Sequence, residues 1–309
     1  MNTSPLPGTR MPTVSANDAK PRRSESPSRR SFRRFAKHRL AVAGAIALCV
    51  IILIAISAPL VAPQDPLESD LQALRQPPSG AHWLGTDLIG RDVWSRVAHG
   101  GRISLAVGIL AVPLYMLIGT LLGALAGYFG GVLDQTIMRV TDTILSVPAL
   151  LMVIVFVAIV GPSLTSVIIV ISLLGWPRAC RIVRGQILLL RNEEYVAAAR
   201  AQGANVWHII NWHILPNIVG PLTVTTTFGI ANAILLEATL SFLGLGVSPP
   251  TPTWGGMLFE AQSPTILSYM PWLWLAPGFF ISITVLAVNL VGDGIRDAMD
   301  PRATTKQKG

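Results

Sequence analysis

The side chains best suited to chemistry are few in this chain, and their spacing assembles no reaction centre. The five histidines are His38, His82, His99, His208 and His213. His208 and His213 stand five apart, off the three- or four-residue spacing that puts two ligands on one helical face. No His-Glu-x-x-His motif offers a zinc site, and no Gly-x-x-x-x-Gly-Lys-Ser/Thr loop offers a phosphate cradle. Cys49 and Cys180 lie in or beside apolar runs without a Cys or His at ligand spacing, and read as small apolar residues. Glu237 is the main acidic residue inside a long apolar run. It is either an ion or substrate ligand or a mark of the outer end of its helix, and the second reading is preferred. A metalloenzyme, a nucleophilic enzyme and a proton-driven carrier therefore all lack the side chains they would need.

Segment 193–217 offers docking instead. Glu193 and Glu194 suit a helix N-terminus. Ala197, Ala198, Ala199 and Ala201 around Arg200 favour helix, and Gly203 stops it at low steric cost. Asn205 can cap a second helix, with Val206, Ile209, Ile210 and His213 at helical spacing, and Pro216 is expected to end it. The alanines leave the backbone approachable, so this helix–turn–helix could sit in a partner's groove and push on whatever is attached at each end. An amphipathic pair resting on lipid is the competing reading.

The elements that hold this segment are apolar. Hydrophobic residues make up 51% of the 309 and charged ones 13%, against about 25% in soluble domains. Mean hydropathy is +0.54. Charge-free runs predict six membrane spans near 40–62, 104–127, 140–160, 164–182, 218–240 and 272–292, the third and fourth parted at Gly161-Pro162-Ser163. Gly119, Gly123 and Gly127 form a small-residue ridge, read as tight helix packing in preference to a dimer seam. Of the 24 Lys and Arg residues, only Arg75, Arg91, Arg96 and Arg102 fall on one side of these spans. The rest share a side with both termini, which the positive-inside rule makes cytoplasmic. The net charge of +8 is thus topological, and nucleic acid is not an expected partner. Residues 1–38 are expected to be a disordered basic tail whose run 29–39 touches anionic lipid, and 304–309 a short C-terminal tail. Between them, 39–303 is expected to form one membrane domain with a first external loop 63–102, a cytoplasmic segment 190–217 and an external loop 243–271.

The cytoplasmic segment resembles the signature of the permease subunits of ATP-binding cassette (ABC) importers: Glu-Ala-Ala, three residues, Gly, nine residues, Ile, one residue, Leu-Pro. Ala198-Ala199, Gly203 and Leu215-Pro216 stand at the matching positions, while Ala197 takes the Glu place and His213 the Ile place. Glu194-Tyr195-Val196-Ala197-Ala198-Ala199-Arg200 and His213-Ile214-Leu215-Pro216 are similar to the peptide-importer branch. So are His82-Trp83-Leu84-Gly85-Thr86-Asp87 with Gly90-Arg91-Asp92-Val93-Trp94-Ser95-Arg96, Leu240-Ser241-Phe242-Leu243-Gly244-Leu245-Gly246, and Gly292-Asp293-Gly294 with Arg296-Asp297.

The resemblance, covering roughly 33–303, is to the second permease of dipeptide, oligopeptide, nickel or glutathione importers. It implies an all-α polytopic membrane protein with six transmembrane helices, the type I ABC importer permease fold and both termini cytoplasmic. It implies a non-catalytic half-pore in the bacterial cytoplasmic membrane, with peptides as the favoured cargo. The implied partners are a homologous second permease, two ATPase subunits that bind the ATP and Mg this chain does not, and an extracytoplasmic solute-binding protein. Glu194, Ala198, Ala199, Arg200, Gly203, Leu215 and Pro216 fall in the ATPase-coupling motif. Gly90, Arg91 and Asp92 have no derived role; covering the pore mouth, touching the binding protein and scaffolding the loop all stay open. A lone gradient-driven carrier and a membrane-embedded enzyme are the readings from other classes.

Overall fold

The computed structural model describes residues 27–62 and 64–299, with side chains from Phe32 onward. The regular structure of the described residues is helical, with loops between the helices and one isolated bridge between Thr86 and Asp92. Helix α1 (Pro27–Lys37) corrects the disorder expected for the end of the basic tail. It packs on the last helix, where a Cβ on Gly294 would stand 3.0 Å from the Phe35 ring. Residues 1–26 and the tail 304–309 lie outside the described residues.

The first expected span is α2 (Arg39–Ile56) followed, after a break at Ser57, by α3 (Ala58–Val61). Helix α4 (Val93–Phe129) starts well before the expected 104. The Asp92 carboxylate accepts the Ser95 N–H at 2.8 Å and fixes that start. The first external loop therefore ends at Asp92 rather than 102. Trp254 explains the extension: it is buried on α4 and donates its Nε1–H to the Val97 carbonyl at 2.9 Å.

The third expected span is corrected more strongly. It is two helices, α5 (Gly131–Ser146) and α6 (Ala149–Val160), bent by 84° at their junction. Pro148 disfavours helical backbone at Val147, which is extended at φ −95, ψ 134. Helix α7 (Leu164–Leu190) follows a Ser163 cap and runs past the expected 182. It lies along α4, and the glycine ridge is the reason. A Cβ on Gly119 would stand 2.5 Å from the Ala179 Cβ, one on Gly123 2.6 Å from the Cys180 carbonyl oxygen, and one on Gly127 3.0 Å from the Ile187 Cβ. The ridge is thus spent on packing inside the chain.

Next come α8 (Glu194–Ala201), α9 (Val206–His208), a π-helical segment Ile209–Ile214 and α10 (Leu215–Phe242). The loop 243–271 contains α11 (Trp254–Glu260) and α12 (Pro264–Tyr269), and α13 (Trp272–Met299) closes the bundle. Among the described residues five helices are long and apolar enough to cross a membrane, or six spans if the bent α5–α6 pair counts as one. Glu237 is fully buried near the outer end of α10, where Ser241 Oγ donates to its Oε1 at 2.7 Å. It lies five residues before the end of α10, and its second carboxylate oxygen is buried without a hydrogen-bond partner.

Candidate functional site

Helix α8 closes with two backbone hydrogen bonds. Ala204 N–H donates to the Ala199 carbonyl at 3.1 Å, and Gly203 N–H to the Arg200 carbonyl at 3.1 Å. This is the Schellman pattern, which needs a left-handed residue after the helix, and Gly203 supplies it at φ +81. Asn205 then caps the next turn, its Oδ1 accepting the His208 N–H at 2.9 Å.

Val196 and Ala199 are buried with Val183, Ile187, Ile209, Ile210 and Ile214, which pins the turn to the end of the α4–α7 pair. His213 is only half-buried, and Ile214 takes the core place expected of it. Glu194, Ala198, Arg200 and Gly203 are all exposed. The Arg200 guanidinium also lies 5.9 Å from the centre of the Tyr128 ring, near the end of α4. Trp207 and Trp212 are exposed beside the turn, with His208 stacked on Trp212 at 6.2 Å.

Leu215 is half-buried, and exposed Pro216 stands within the first two positions of α10. Pro216 does not end the second helix, as its type suggests it should. In an α-helix its ring would meet the carbonyl four residues back. The wider π turn over Ile209–Ile214 accommodates it, with the Leu215 N–H bonded to the Ile210 carbonyl, so the segment continues into α10 without a break.

At the opposite end, residues distant in sequence form one ionic cluster. Arg91 Nε donates to Asp87 Oδ2 at 2.6 Å, and its Nη2 to Glu260 Oε2 at 3.0 Å. Arg96, with 4% of its side chain exposed, donates through Nη1 to Asp87 Oδ2 at 2.5 Å and Glu260 Oε2 at 2.6 Å, and through Nη2 to Glu260 Oε1 at 2.9 Å. Burial opposes the Asp87 charge, but Arg96, Arg91 and the backbone N–H groups of Arg91 and Ile89 together hold the carboxyl below its ordinary value.

Gly90 turns at φ +82, where a Cβ would stand 1.9 Å from the Asp70 carbonyl oxygen. Asp92 caps α4 and meets His82 Nδ1 at 3.0 Å. Gly90, Arg91 and Asp92 therefore all make contacts that fasten this loop to α4 and α11. Asp87 and Arg96 sit inside a recognisable motif, but Glu260 has no local signal linking it to them, because the pairing spans 164 residues.

Between these two ends lies a cavity of about 550 Å³ lined by α4, α5, α6, α7, α10 and α13. Its walls include Tyr115, Met152, Phe228 and Asn232, with Arg178 and Arg296 also at its surface. Helices apolar on every side gave no periodicity from which to find it. Among the described residues no group of three or more His, Cys, Asp or Glu is arranged to hold a metal ion.

The family model described as "Binding-protein-dependent transport system inner membrane component" matches residues 119–305, and "N-terminal TM domain of oligopeptide transport permease C" matches 26–78. A putative peptide permease protein of Brucella suis is 44% identical over 280 residues, covering 91% of this chain and 93% of that protein. The dipeptide transport system permease protein DppC of Bacillus subtilis is 41% identical over 285 residues (92% and 89%). The glutathione transport system permease protein GsiD of Pectobacterium atrosepticum is 43% identical over 278 residues (90% and 92%). In structure, a chain of the inward-facing MetNI methionine ABC transporter superposes with a TM-score of 0.55 at 19% identity, covering 66% of this chain and 96% of that one.

Proposed function

The chain belongs to the inner membrane components of binding-protein-dependent transport systems, and from that premise we propose that it is one of two permease subunits of an ABC importer for peptides. The observation that carries the reading is identity above 40% to peptide permeases over some nine-tenths of the chain. The glutathione relative fits the same reading, since glutathione is itself a small peptide. Nickel is the alternative cargo within the class.

In this reading the turn around Gly203 lies on the cytoplasmic face together with both termini. An ATPase subunit seats on the exposed surface of Glu194, Ala198, Arg200 and Gly203. Val196, Ala199 and Ile214 pass its movement into α4, α7 and α10. Leu215 and Pro216 fix the exit from the turn. The chain binds no nucleotide; ATP and Mg sit in two ATPase subunits, and a homologous but different permease supplies the other half of the pore. An extracytoplasmic binding protein delivers cargo to the opposite face, where the Asp87–Arg91–Arg96–Glu260 cluster keeps the loops in place.

The test is reconstitution in proteoliposomes with the permease, ATPases and binding protein encoded beside it. Labelled dipeptide should accumulate only with ATP and the full set. Uptake by this chain alone would refute the reading in favour of a carrier. Uptake of nickel without peptide would move the cargo and leave the class.

A further inference from the structure

We propose that the central cavity is a recognition site for the carboxylate of the cargo, with Arg178 and Arg296 as the groups that receive it. The proposal rests on the peptide-importer reading and names what the cavity selects. At about 550 Å³ the cavity lies within the usual range of small-molecule sites.

Most of its wall is apolar, with Met152, Ile171, Phe228 and Leu236 among the lining side chains, and no Asp or Glu lines it. The other arginines of α7 and its end already have partners. Arg181 pairs with Asp142, Arg184 with Asp134, and Arg191 donates to the Gly127 carbonyl. Arg178, on the same helix, and Arg296, on α13, line the cavity, and among the described residues neither is held in an ion pair. Both side chains are exposed; two guanidiniums beside a mostly apolar wall offer an anion a place to bind, and the planar fork of Arg suits a carboxylate in particular.

The remaining polar group of note is Asn232. Its Nδ2 donates to the Phe228 carbonyl at 3.0 Å, which leaves its own carbonyl oxygen as an acceptor at the wall. Peptides differ in their side chains but share a terminal carboxylate. Apolar walls with one fixed anion site would accept many sequences by that common group.

The experiment uses the detergent-purified importer without its binding protein, so that only the membrane subunits report. Equilibrium binding of labelled dialanine is compared with that of dialanine amide, up to millimolar concentration. The free acid should bind and the amide should bind roughly tenfold or more weakly, as expected for loss of charge-assisted hydrogen bonds. Arg178→Gln and Arg296→Gln should each weaken acid binding about tenfold and reduce the acid–amide difference. Arg178→Lys should recover part of it.

No acid binding by the wild type, or an acid–amide difference unchanged in assembled variants, overturns the proposal. If the Gln variants fail to co-purify with the second permease while the Lys variants assemble, the carboxylate belongs to an acidic side chain of that subunit, and the proposal is again overturned. Uptake by the complete wild-type importer separates the two levels. Peptide uptake without cavity binding sinks this proposal alone, whereas no peptide uptake sinks the functional reading and this proposal with it.

Discussion

Replacing Gly203 separates what the turn costs by itself from what a docked partner demands. At φ +81 any L-residue carries a left-handed penalty of about 1 kcal/mol. A Cβ built there meets no atom within 4 Å, so inside this chain the cost is conformational alone. The two Schellman hydrogen bonds come from backbone groups and survive the change. One kcal/mol, confined to an exposed turn, should leave insertion and assembly intact.

A docked ATPase subunit changes the sum. Gly203→Asp places a carboxylate in space that the partner would close, and burying an unsatisfied charge there adds about 1–3 kcal/mol or more. Gly203→Ala bears the same backbone penalty and adds only a methyl group. The assay is peptide taken up per ATP hydrolysed in proteoliposomes containing the complete importer. The aspartate variant should fall about tenfold or more below the alanine variant. Equal losses in the two would reduce the effect to backbone strain, and wild-type transport by Gly203→Asp would show that nothing docks at the turn.

Gly123→Val should abolish recovery of folded protein, because its Cβ would lie 2.6 Å from the Cys180 carbonyl oxygen, while Gly185→Ala, whose Cβ meets nothing within 4 Å, should purify normally. Size-exclusion yield of the two distinguishes close helix packing from general intolerance of change. Glu260→Ala removes both carboxylate oxygens that pair with buried Arg96 and should destabilise the purified complex by roughly 1.5–3 kcal/mol; an unchanged Tm would show the cluster to be idle. The Asp87 carboxyl is held below its ordinary 3.8, so its pairing stabilises the fold fully above that pH and loses its contribution as pH falls through the lower folded value. Thermal melts should show this acid loss in the wild type, and Asp87→Asn should flatten it.

Charge spacing made most of the membrane helices legible, because a gap in charge is also a statement about lipid. It failed at 140–160, where no charge follows Asp142 but Pro148 sets a bend of 84°. Composition identifies where lipid can sit and says little about direction. The geometry of the turn at 203–205 was legible in detail, since Gly203 and Asn205 act locally on their own backbone. Pro216 misled for the same reason: its local effect is to break an α-helix, and only the wider π turn shows that the chain absorbs it. The external cluster was half legible, since Asp87, Arg91 and Arg96 share a motif whereas Glu260 joins them only through the fold.

The π segment before α10 has a consequence for angular phase. An α-helix advances about 100° per residue, so one extra residue held in a widened turn shifts the azimuth of everything beyond it by about that amount. Exposed Trp207, before the segment, and Phe228 and Asn232 at the cavity, beyond it, lie on opposite sides of this offset. Pro216 holds that offset in place, because α geometry over Ile209–Ile214 would drive its ring into the carbonyl four residues back. The six residues Ile209–Ile214 thus set, by one built-in rotation, which side chains of α10 face the cavity.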